Sequence, residues 1–91
     1  VMMYARAIPA ALSADQLQRI TAVHDCYLPS ASIIAIKDLD TFDSLCHDLA
    51  CDGTTLELVE EHVAIGPAMS AKEMEILSLW YRDEAPRARG S

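Results

Sequence analysis

The spacing of apolar residues divides this chain into short segments of different period. Met2 to Ile8 reads as a strand with Tyr4, Arg6 and Ile8 on one face. From Ser13 onward, Leu17, Ile20, His24, Tyr27 and Leu28 fall on one stripe at helical spacing, and Pro29 ends the run. Ser32 to Ile36 is a short β-branched run between polar flanks, which suits a buried strand. A second helix follows, capped by Asp40 or Thr41, with Phe42, Leu45, Cys46 and Leu49 on its apolar face. Gly53 stands at its C′ position, where a left-handed residue closes a helix. A last helix runs from Ser70 to about Glu84.

Residues 54–65 satisfy two readings. As a helix they open on a capping box, Thr54-Thr55-Leu56-Glu57, and end at Gly66-Pro67. As a strand they place Leu56 and Leu58 on one face and Val63 and Ile65 on the other, which requires a bulge near Glu60-Glu61. The content of Thr, Val, Leu and Ile after Asp52-Gly53 favours the strand. The same capping grammar recurs at Ser13-Ala14-Asp15-Gln16 and Ser70-Ala71-Lys72-Glu73, each preceded by Pro-Ala, and is cap chemistry more than an internal repeat. The expected fold is α/β, a small three-stranded sheet covered by three helices, its strands parallel if helices connect them. The rival is an all-α bundle of four to five short helices.

The last helix is unusual in its pattern. Ile76, Leu77, Leu79, Trp80 and Tyr81 cover most of its circumference, so it is expected to be buried on several sides. Either it is the central core helix, or one side docks on a second copy through Ile76, Leu77, Trp80 and Tyr81. Trp and Tyr are residue types enriched in binding hot spots.

Ninety-one residues suffice for a single compact domain, residues 1–91, with 85–91 expected as a flexible tail. Val1 and Arg89-Gly90-Ser91 are read as terminal additions without functional weight. At 52% hydrophobic residues the chain is a folding one, and no apolar run approaches the roughly 20 residues of a membrane span. The start lacks the basic and apolar regions of a signal peptide. The three cysteines, Cys26, Cys46 and Cys51, are an odd number, which argues for the cytoplasm over a disulfide scaffold.

Charge changes the picture most. From Asp38 to Ala71 there is no Lys or Arg, and the stretch holds Asp38, Asp40, Asp43, Asp48, Asp52, Glu57, Glu60 and Glu61. These exceed the whole net charge of −7, so the flanks together are close to neutral. Such a field selects basic partners and disfavours nucleic acid and anionic lipid, which need Lys and Arg. The expected function is therefore a non-enzymatic interaction or regulatory domain, an inhibitor in type. Its partner would be a basic protein, including a nucleic-acid-binding one, met by Asp43, Asp48, Asp52, Glu57, Glu60 and Glu61, with a homodimer formed through the last helix. An accessory subunit of an enzyme complex stays open.

The candidate chemistry is weaker. His24, Cys26, Cys46, His47 and Cys51 are ligand types for zinc or a thiol sensor, but no Cys-x2-Cys spacing occurs, and Cys46 and Cys51 point to opposite faces at about 100° per residue. Asp48 to Val59 places Gly53 at the sixth position of a calcium loop, but Ala50 at the third and Val59 at the twelfth lack the needed oxygens. No glycine-rich phosphate loop exists, and no cofactor is expected.

Overall fold

The computed structural model describes residues 2–65 and 69–82. The predicted tail at 85–91, the Gly66-Pro67 stop and the end of the last helix at Glu84 lie outside the described residues. Within them the order is β1 (Met3–Ile8), α1 (Ala14–Val23), β2 (Cys26–Tyr27), β3 (Ile33–Ile36), α2 (Leu39–Ala50), β4 (Thr55–Val59), α3 (Glu61–Ile65) and α4 (Ala71–Arg82). The fold is α/β, as expected, but with four strands and four helices among the described residues rather than three of each.

The sheet order is β2-β3-β1-β4, and each neighbouring pair is antiparallel. Strands joined by a helix do run in the same sense, β1 with β2 and β3 with β4. They are not neighbours, because another strand inserts between the two members of each pair. The parallel sheet is thus corrected to two interleaved split β-α-β units, the ferredoxin-like connectivity. That connectivity carries many unrelated functions and assigns none.

Three layers result. On one face Ala5, Ala7, Ile34, Ile36 and Leu56 pack against Ile20 of α1 and Leu45 and Leu49 of α2. On the other, Tyr4, Ile33 and Ala35 meet Leu77 of α4, with Ala64, Ile65 and Trp80 alongside. Covering on both faces explains why β3 is apolar at every position, all four residues being buried. Ile20, Ile34, Ile36, Leu45 and Leu49 are fully enclosed, and each contributes about 1.5–3 kcal/mol of transfer free energy.

The local signals at helix ends held in most places. Ser13 and Gln16 form the capping box of α1, and Ser70 and Glu73 form that of α4. Helix α2 closes with Gly53 at φ +78°, its N–H donating to Ala50 O at 3.0 Å while Thr54 N–H donates to Leu49 O at 3.0 Å. That pair of bonds is a Schellman motif, and the left-handed conformation is the reason a glycine is needed there. The N-cap of α2 is Asp38, whose carboxylate accepts from Thr41 N–H at 2.8 Å, rather than Asp40 or Thr41.

Two segments differ from the sequence pattern. Helix α1 stops at Val23, and the stripe does not continue through Tyr27 and Leu28. Cys26 and Tyr27 instead pair with Ile36 and Ala35. Strand pairing sends the Tyr27 ring to the α4 face, where continued helix would have kept it on the stripe of Ile20. In residues 54–65 both readings are partly right. The strand ends at Val59, and the proposed bulge at Glu60-Glu61 is a switch into α3, with Glu60 O accepting from Val63 and Ala64. The Thr54 capping box is therefore not formed.

Candidate interaction surface

The acids of the middle third do not form one uniform patch. Two of them are bound to α1. Arg19 Nε donates to Asp48 Oδ1 at 3.0 Å, and its Nη2 reaches Asp52 Oδ2. His24 Nε2 lies 3.0 Å from Asp48 Oδ2, and Gln16 Nε2 bonds both Asp52 Oδ2 at 3.2 Å and Thr54 Oγ1 at 3.1 Å. The Schellman turn at Gly53 is what brings Asp52 and Thr54 against the first helix. Hydrogen bonds from Arg19 and Gln16 hold the Asp52 carboxyl below its ordinary range.

Glu57 is similarly engaged. It stands opposite Arg6 in the β1–β4 register and pairs with Arg6 Nη2 at 2.5 Å. Burial, together with the nearby Glu61 carboxylate, pushes the Tyr4 phenol up. Asp43 and Glu60 are exposed and form no salt bridge among the described residues, as does Asp40 at the start of α2. Helix α2 packs against β4, so these acids stand on adjoining elements. Of the six predicted contact residues, then, Asp48, Asp52 and Glu57 are held by cations of the same domain, Glu61 stands near the Tyr4 phenol, and Asp43 and Glu60 face solvent alone. The signal that linear charge counting misses is Arg6 and Arg19, which lie far from the acids in sequence and fold onto them.

Helix α4 is not the enclosed core helix that its pattern implied. Leu77 alone on it is buried, 3% exposed, against Tyr4, Ile33 and Ala35, and so belongs to the core rather than to a docking surface. Ile76 is 41% and Leu79 56% exposed. Trp80 is half-buried, its ring 5.8 Å from that of Tyr27, and Lys37 Nζ sits 4.5 Å over it. Tyr81 lines an open cleft of about 430 Å³ with Met2, Ser78 and Arg82.

The three thiols are separate and unpaired: Cys26 buried, Cys46 half-buried and Cys51 exposed. Burial, with Asp25 nearby, pushes the Cys26 thiol up to about 11, and burial with Asp43 raises Cys46. His24 faces Asp48 rather than a thiol. Among the described residues no group of three or more His, Cys, Asp or Glu side chains is placed to hold a metal ion. No helix among them is long and apolar enough to cross a membrane.

Comparison with protein-family models, with curated proteins and with solved structures finds no match to this chain.

Proposed function

We propose that this is a non-enzymatic interaction domain, regulatory or inhibitory in type, that engages a basic partner protein through its acidic surface. The observation that carries the reading is the uneven use of charge. Arg6 and Arg19 neutralise Glu57, Asp48 and Asp52, yet Asp40, Asp43 and Glu60 stay exposed without a cation among the described residues, in a chain of net charge −7. Asp40 and Asp43 stand on helix α2 and Glu60 in the connection between β4 and α3, so the field has a fixed direction and steers association. The three free cysteines support a reducing, cytoplasmic setting.

The test reverses only the acids without internal partners. Wild type and an Asp43→Lys/Glu60→Lys variant are used as bait in native lysate, and retained proteins are eluted with rising salt, identified and rebound in pure form. The reading expects a basic protein that binds wild type, elutes early in salt, and is lost by the variant while its circular dichroism is unchanged. Equal retention by both baits, or retention indifferent to salt, overturns it.

A further inference from the structure

The sheet has two edges of different character. Strand β2 has two residues and is followed at once by Leu28-Pro29, so it offers little to pair with. Strand β4 has five residues and, among the described residues, is bonded on one side alone, to β1.

The register shows which groups of β4 are left over. Ala7 N–H donates to Ser32 O at 2.8 Å, so Ala7, and Ala5 and Met3 at the same parity, direct their backbone groups toward β3. Antiparallel pairing alternates, so Tyr4, Arg6 and Ile8 face β4 and exchange bonds with Val59, Glu57 and Thr55. The N–H and C=O groups of Leu56 and Leu58 therefore point outward, with no backbone partner among the described residues. Leu58 is also 50% exposed on the α2 face of the sheet. An edge with free donors and acceptors beside a half-exposed leucine is a template for one more strand.

Charge decides the occupant. The acids of the edge and its C-terminal flank are Glu57, already paired with Arg6 of β1, and Glu60 and Glu61, which form no salt bridge among the described residues; neither β4 nor its flanks carry a Lys or Arg. A second copy of β4 would bring the same carboxylates to the seam, and like charges set opposite one another across strands are unfavourable. We infer that β4 receives an extended, basic segment of a partner protein as an added strand, paired through the backbone of Leu56 and Leu58. Lys or Arg side chains of that segment lie toward Glu60 and Glu61, and an apolar residue packs beside Leu58. This rests on the acidic-surface reading and adds its mode of recognition.

The probe is a short capped peptide alternating Lys and Val, followed by amide chemical shifts and hydrogen exchange on the intact chain. Without peptide, the Leu56 and Leu58 amides exchange fast while Glu57 and Val59 are protected by β1. With peptide, Leu56 and Leu58 become protected, and binding weakens as salt rises. N-methylating alternate peptide residues retains every charge but removes the donors, and affinity falls roughly tenfold or more, as expected for losing one or two hydrogen bonds. A Glu-Val peptide does not bind. If the N-methylated peptide binds as well and Leu56 and Leu58 stay unprotected, strand addition is wrong while the acidic-surface reading survives. No binding of the Lys-Val peptide even at low salt overturns both. Protection of the two amides that rises with protein concentration alone overturns the basic occupant in favour of a second copy.

Discussion

The ammonium of Lys37 lies 4.5 Å from the centre of the Trp80 ring and joins the end of β3 to helix α4. The Lys37 side chain is 8% exposed, with Asp25 Oδ2 at 3.5 Å, and its nitrogen has no hydrogen-bond acceptor among the described residues. A cation withdrawn from water needs a counter-field, and the face of an indole is the best one an uncharged side chain supplies. The only Trp of the chain is thus held by a contact inside the domain. Removing the ring should leave the charge buried without it. Trp80→Leu is expected to destabilise by about 1–3 kcal/mol, whereas Lys37→Met, which removes the charge with the shape retained, should stay within about 1 kcal/mol of wild type. Urea unfolding of both and of the double variant gives the coupling, expected near 1 kcal/mol. Additive losses would show that ring and ammonium do not interact.

Packing should outweigh the ion pairs that tie α1 to α2. Leu49 is fully buried between helix and sheet, and Leu49→Ala is expected to lose about 2–5 kcal/mol. Arg19 and Asp52 are partly exposed and screened, so Arg19→Leu should lose far less, with a difference from wild type that shrinks at high salt. A loss in the Arg19 variant matching that of Leu49→Ala would make the network a principal stabiliser instead.

Asp38 carries an acid-sensitive contribution. Its carboxyl is held below the ordinary value, chiefly by the backbone N–H of Thr41 at the start of α2. A group with a lowered folded-state pKa stabilises above its unfolded pKa, near 4, and loses that stabilisation as pH falls through the folded value. Asp38→Ala should destabilise by about 1 kcal/mol at neutral pH and by less in acid. Asp38→Asn retains an acceptor, so it should lose little at neutral pH and flatten the acid limb of the stability profile. Thermal melts from pH 2 to 7 check both trends.

The thiols should differ in reactivity in a fixed order. Cys51 is exposed, Cys46 half-buried, and Cys26 buried with its pKa raised to about 11. A disulfide reagent near neutral pH should modify Cys51 first, Cys46 more slowly and Cys26 only as the domain opens. Fast, selective modification of Cys26 would revive a thiol sensor as the function.

What the sequence determined by itself is local. Serine and glutamine or glutamate at both ends of a first turn set the starts of α1 and α4, because those bonds join residues three apart. Gly53 closed α2 for the same reason, and the apolar run at Ile33–Ile36 announced a strand covered on both faces. Competition between local signals was not legible: Tyr27 fits the α1 stripe and Thr54 a capping box, yet pairing with β3 and β1 respectively claimed those segments. Only the tertiary structure could set strand order, since β3 follows β2 by a short loop yet inserts beside β1, from which α1 and β2 separate it in sequence. It alone could also decide the charge pattern. Arg19 reaches Asp48 and Asp52 across 29 and 33 residues, and Arg6 reaches Glu57 across 51. Charge along a chain adds by position, but the field that a partner meets adds in space, and folding brought two cations to the acids while leaving Asp43, Glu60 and the outer edge of β4 open.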